Sequence, residues 1–168
     1  MRFKRAVRAV VVATLASILV ACGGGEQAQQ PIAFPHNIHA GDNHIPCLYC
    51  HSSADKSIDA GIPAVSVCAG CHFPGGVPLI AADKPEVQKV LAYWRAGQPI
   101  PWVRIHRLPD YVHFPHMMHI HAGLQCQECH GPVQDEKQVT QFASLRMGWC
   151  ISCHRKKDVR TDCFVCHH

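Results

Sequence analysis

The sequence predicts a mainly irregular chain with short α-helices and little or no β-sheet, and three observations predict it. Only about Lys84 to Ala96 carries a convincing helical apolar stripe. Ten of the 11 cysteines fall into five CxxCH motifs, leaving none to staple a fold through disulfides. The motifs are so dense, about 29 residues each once an export segment is removed, that attached groups must form most of the core. The 168 residues allow one domain or two small ones, and 48% hydrophobic against 17% charged residues excludes a disordered tail.

The N-terminus reads as an export signal. Arg2, Lys4, Arg5 and Arg8 precede an uncharged run from Ala9 to Ala21, 13 residues against the ~20 that a membrane span needs. Leu19-Val20-Ala21-Cys22 resembles the bacterial lipobox, whose cysteine is lipidated after cleavage. Residues 1–21 are thus expected to be a lipoprotein signal peptide, Cys22 the lipidation site, and 22–33 a flexible tether, small and polar in composition. The formal charge of +4 lies entirely in that signal, so the 147-residue mature chain is neutral by formal count, and nucleic acid binding through a basic face has no support. Propionates on the attached groups would make the surface neutral to acidic and suit a basic cytochrome partner.

The predicted domain, 34–168, divides into a two-motif half (34–80), a helix and strap (81–110) and a three-motif half (111–168). The motifs are Cys47/Cys50/His51, Cys68/Cys71/His72, Cys126/Cys129/His130, Cys150/Cys153/His154 and Cys163/Cys166/His167. Two residues between thiols let both reach the vinyl groups on one porphyrin edge, and the adjacent His points at the iron as proximal ligand. Zinc sites share CxxC but do not demand a His directly after every pair, and a thioredoxin-like site needs a βαβ setting that is absent here. Five covalent haem c groups are therefore expected, in a haem-dominated multihaem cytochrome c fold.

Nine histidines remain beyond the five proximal ones, against four methionines, which stocks the chain for mostly bis-histidine iron. An internal repeat ranks them: Phe34-Pro35-His36-Asn37-Ile38-His39 precedes the first motif, and Phe114-Pro115-His116-Met117-Met118-His119 precedes the third. Two His three residues apart share a helical face yet diverge enough to reach two irons. His36 and His116 are expected as distal ligands to their own following haems, with His39 and His119 reaching neighbouring ones. Counting from the phenylalanine selects His119 over His121, which shares the following Ala-Gly with His39. The fifth distal ligand is open between Met147 and His168, ahead of His106. His44, His113 and His121 read as surface or supporting residues.

The 58-residue gap between the motif starts at Cys68 and Cys126 holds the predicted helix, Lys84 to Ala96. Asp83 is its expected cap, Pro85 fits its first turn, Gly97 ends it, and Val87, Val90, Leu91 and Trp94 form its packing face. Gln98 to Ile105 continues as a proline-stiffened strap, with Trp102 and Arg104 placed to cover a haem or dock a partner.

The FxHxxH segment before CxxCH resembles class III cytochromes c. More specifically, His39-Ala40-Gly41-Asp42 through Ile45-Pro46-Cys47-Leu48-Tyr49-Cys50-His51, Pro99-Ile100-Pro101-Trp102-Val103-Arg104-Ile105-His106, Leu108-Pro109-Asp110-Tyr111-Val112, Cys129-His130-Gly131-Pro132-Val133 and Ser144-Leu145-Arg146-Met147-Gly148-Trp149-Cys150 are similar to the pentahaem cytochrome subunit of alternative complex III. That resemblance implies an electron-transfer subunit, not itself the enzyme, of a respiratory quinol oxidoreductase on the periplasmic side of a bacterial membrane. Implied partners are iron-sulfur and integral membrane subunits, with a cytochrome c or an oxidase as acceptor. The family's transmembrane anchor is replaced here by the lipobox. The alternatives are a stand-alone lipoprotein carrier feeding a periplasmic reductase or extracellular acceptor, and a multihaem reductase with an open iron.

Overall fold

The computed structural model describes residues 29–168, so the export signal, Cys22 and the tether up to residue 28 lie outside the described residues. Short helices joined by irregular segments make up the fold, and no strand occurs among the described residues.

The motifs create most of the helical turns. One turn of helix puts the two cysteines of CxxC, three residues apart, on one face, and the His four residues after the first Cys alongside them. The first motif forms α2 (Cys47–Cys50), the second ends α3 (Val65–His72), the third forms α6 (Cys126–His130) and the fourth lies inside α7 (Met147–Lys156). The fifth winds a 3₁₀ turn, Cys163–Val165. The repeated His segments are helical too: α1 (Asn37–Asp42), wound as a π-turn, and α5 (His116–His121).

The helix of the long gap is α4 (Pro85–Ala96), closing on Gly97 at φ 64°. Its cap position differs from the expected Asp83. Pro85 takes the first helical position and holds the residue before it extended, so Lys84 becomes the cap (φ −76°, ψ 133°) without a side-chain cap bond. Asp83 instead pairs with Lys84 at 3.2 Å. The packing face is also rotated from the expected stripe: Val90 and Leu91 are buried and Val87 partly so, but Tyr93 packs inward while Trp94 is 40% exposed.

That face makes the polypeptide core. Ile32, Ala69, Phe73, Val90, Leu91 and Ile100 form it, with Val65, Cys68, Tyr93 and Trp102 against them. Trp102 thus belongs to the core side of the strap, whereas Arg104 is exposed. Packing begins before Phe34: Ile32 is 2% exposed, Gln30 bonds Val103 through both its amide groups (2.8 and 2.9 Å), and the Ala33 N–H donates to Glu86 at 2.7 Å. The apolar residue at 32 wins over the polar composition around it, because α4 and the strap offer it a dry site.

The three-motif half has no such core. Ala143 is its one buried apolar residue, while Tyr111, Phe142, Met147 and Phe164 are 61–81% exposed. A half with that little buried apolar surface lacks the hydrophobic burial that normally offsets chain entropy.

The two halves are tied by reciprocal backbone docking. In one direction, the Asn37 N–H at the start of α1 donates to Glu136 O (3.0 Å), behind the third motif. In the other, the N–H groups of His116 and Met117 at the start of α5 donate to Ile58 O and Ser57 O (3.0 and 3.2 Å), behind the first. Each copy of the repeat therefore docks behind the leading motif of the opposite half, in a pseudo-twofold exchange. A Cβ on Gly41 would stand 2.5 Å from Gln134 O, so the α1 contact requires glycine.

Candidate haem-attachment and axial-ligand site

The ten described motif cysteines are all free of disulfides. Burial pushes the Cys50, Cys68, Cys126, Cys129 and Cys150 thiols up, each helped by a cysteine nearby. Zinc ligation and dithiol redox chemistry both need the thiolate, which basic or helix-terminal surroundings favour; here the surroundings favour the neutral thiol. Among the described residues no three His, Cys, Asp or Glu side chains gather into a metal cage. A porphyrin iron asks the protein only for two axial donors, so paired rings rather than cages are the arrangement to look for.

Such pairs are present. The rings of His39 and His72 are 6.2 Å apart between centroids, those of His116 and His130 6.4 Å, and those of His119 and His154 6.1 Å. Two imidazoles that each hold one metal at about 2 Å through nitrogen have centroids about 6 Å apart. His36 makes no ring contact of this kind with His51 but lies near enough for its charge to be felt. The donors present thus fit haem iron, and the fit follows the leading residues of both repeats.

Second partners fix the tautomers. The Nδ1–H of His39 donates to Pro35 O (2.9 Å) and that of His119 to Pro115 O (3.0 Å), the same bond in both repeats. On the motif side, His72 donates to Ile80 O (2.8 Å), His154 to Arg160 O (2.9 Å) and His167 to Tyr111 O (3.0 Å). A carbonyl only accepts, so each Nδ1 carries a proton and Nε2 is the nitrogen left to face a metal. Phe34 stacks on His39 at 4.3 Å and meets His36 edge-on at 4.8 Å; Phe114 does the same to His119 at 4.2 Å and His116 at 4.8 Å.

Burial disfavours the charged form of four histidines. Desolvation, then the neighbouring His51 and His39, lowers His36 to about 4; desolvation, then His106, His116 and His51, lowers His130 to about 4. His116 and His106 are also lowered, first by burial. Neutral imidazole is the form that ligates. One ring nitrogen of His36 and one of His106 are buried without a hydrogen-bond partner.

The remaining candidates are placed differently. Met147 opens α7 and is 64% exposed. His168 is exposed and stacks on the exposed His113 at 4.3 Å, so these two meet each other. His106 lies against His130 at 4.4 Å. His44 and His121 are exposed, and the ring facing His154 is His119.

Sequence reasoning missed the supporting acceptors. Pro35 and Pro115 were legible as part of the repeat. Ile80, Arg160 and Tyr111 act through backbone carbonyls and leave no mark in side-chain identity.

Short helices with no strand among the described residues, CxxCH turns and opposed imidazoles are the layout of a multihaem c-type cytochrome. The comparisons agree in kind: the chain is 28% identical over 169 residues to the menaquinone reductase, multiheme cytochrome c subunit, of Nitratidesulfovibrio vulgaris (strain Hildenborough), across 84% of this chain and 78% of that protein. No family model matches the chain.

Proposed function

We propose that the chain is a pentahaem c-type electron-transfer subunit of a membrane quinone oxidoreductase similar to alternative complex III. Haem, when attached, supplies an iron that alternates between ferric and ferrous. The residues do the rest. Cys47, Cys50, Cys68, Cys71, Cys126, Cys129, Cys150, Cys153, Cys163 and Cys166 hold the porphyrins; His51, His72, His130, His154 and His167 are proximal; His36, His39, His116 and His119 are distal, with Met147 or His168 as fifth.

The observation that carries this reading is the set of opposed rings at 6.1–6.4 Å, two of the three pairs having both Nδ1–H groups bonded to backbone carbonyls. Filled axial positions held by fixed rings suit outer-sphere transfer, because little moves when iron changes charge. Quinone chemistry belongs to other subunits. The location is the periplasmic side of the membrane, through a lipid on Cys22; no described helix is long and apolar enough to cross a membrane.

The resemblance favours quinol oxidation, with electrons leaving to a cytochrome c or an oxidase. The relative's name favours a second reading, in which electrons pass to menaquinone. Purification from native membranes in mild detergent tests membership: iron-sulfur and multi-spanning subunits should remain bound, whereas release of this chain alone would make it a stand-alone carrier. Adding quinol or quinone to the isolated complex then separates the two directions, by whether the haem bands gain or lose their reduced form.

A further inference from the structure

The attachment sites are numbered in the sequence, but the fold does not lay them out in that order. His36 and His39 lie on one turn; the Ile45 N–H, two residues before Cys47, donates to His39 O (3.0 Å) while the His39 ring faces His72, so this turn joins the first and second sites. His116 and His119 do the same for the third and fourth, facing His130 and His154. Reciprocal docking of α1 on Glu136 and α5 on Ser57 and Ile58 sets the first and third sites together, with Cys47 and Cys126 as neighbours there. The fifth motif is held to the segment leading into α5: the His113 N–H donates to Cys166 O (2.8 Å), and the His167 Nδ1–H to Tyr111 O. The fourth motif's His154 donates through Nδ1–H to Arg160 O (2.9 Å), three residues before Cys163, which puts the fifth site beside the fourth.

We propose that the five sites form one unbranched line in the order second, first, third, fourth, fifth, with its central junction at Cys47 and Cys126. The proposal rests on the five-haem reading above. Haem held at these sites would supply one-electron exchange between neighbours, one iron oxidised as the next is reduced, with no bond made or broken. Electrons therefore enter and leave at the second and fifth sites.

The pseudo-twofold exchange also explains why the line is lopsided. Tyr111 and His113 stand three and one residues before Phe114; Pro31 and Ala33 stand three and one before Phe34. At the later pair the fifth motif docks, and at the earlier pair α4 docks, with Glu86 accepting from the Ala33 N–H. Helix α4 thus takes, beside the second site, the place that the fifth motif takes beside the fourth. The second site ends the line against protein, with Phe73 buried next to His72, and the fifth ends it beside Phe164, which is 81% exposed.

The test uses the holoprotein and a redox titration that resolves each haem by paramagnetic NMR. Changing the potential at one site shifts its immediate neighbours most, through charge interaction at short range. His39→Met should raise the second haem and displace the first more than any other. Cys163→Ala with Cys166→Ala removes the fifth haem at the edge of the fold, and should displace the fourth alone among the remaining four. A dominant shift of the third, fourth or fifth haem in the first variant, or of the first, second or third in the second variant, overturns the order while leaving five-haem ligation intact. Failure of the other reading looks different: fewer than five covalent haems on the parent chain, counted by mass.

Discussion

Gly131→Ala probes how tightly the chain must leave the third attachment site. Gly131 directly follows His130, is buried, and has φ 73° and ψ −168°, a region that essentially only glycine enters. Placing a side chain there costs about 1–3 kcal/mol in backbone strain. A new Cβ would also lie 2.7 Å from Cγ and Cδ2 of Phe142, and overpacking of this kind costs about 1–3 kcal/mol. Phe142 is 61% exposed and free to swing outward, which takes the steric part to its lower end. The sum is about 2–4 kcal/mol. In guanidinium, with a slope of about 4 kcal/mol per molar, the unfolding midpoint falls by about 0.5–1 M.

The double variant Gly131→Ala with Phe142→Ala separates the two parts. Phe142→Ala alone removes an exposed ring and should stay within about 0.5 kcal/mol of the parent. Combined with Gly131→Ala it should return the steric part, about 1 kcal/mol, and leave the strain. A single Gly131→Ala variant within about 0.5 kcal/mol of the parent would refute the backbone argument. Complete rescue by the second substitution would show that the clash, and not the left-handed φ, sets the requirement.

Three further outcomes are expected. Phe73→Ala, at 1% exposure in the small core, should cost about 3–5 kcal/mol by denaturant titration, far more than Phe142→Ala; a loss under about 1 kcal/mol would mean that the haems carry this half without a core. His119→Met should keep five covalent haems yet raise the potential of one and add a mixed His and Met signal, and an unchanged spectrum would remove His119 from the ligand set. Met147→Leu and His168→Asn form a matched pair: the one that removes the fifth distal ligand should turn one haem high-spin, and two unaltered spectra would remove both residues.

The turns that carry the motifs were legible because a CxxCH segment is a local pattern. A CxxCH needs one turn of helix and nothing distant, so α2, α3, α6 and α7 follow from the motifs themselves. The repeat was legible for the same reason, and even the choice of His119 over His121 follows from keeping the phenylalanine spacing: Phe114 stacks on His119 as Phe34 stacks on His39. The cap of α4 was misread by one residue because Asp83 is the better capping side chain, whereas the constraint that decides the boundary comes from Pro85. Ile32 was read with the tether because the composition around it is polar, and one buried side chain outweighs that composition.

What the sequence does not encode in readable form is which half each repeat serves. The bonds that place α1 and α5 run from the N–H groups of Asn37, His116 and Met117 to the carbonyls of Glu136, Ile58 and Ser57. Every non-proline residue carries the same donor and every residue the same acceptor, so no side-chain pattern distinguishes docking within a half from exchange between halves. The one trace is steric. Gly41 lets the backbone approach Gln134, but its counterpart by distance from the phenylalanine, His121, sits exposed and needs no such approach. Two copies of one segment therefore keep the same phenylalanine and proline contacts to their histidines while packing on different surroundings. The two extra residues before Ala122 are tolerated because α5 seats through its first turn, at His116 and Met117, leaving its far end free to lengthen.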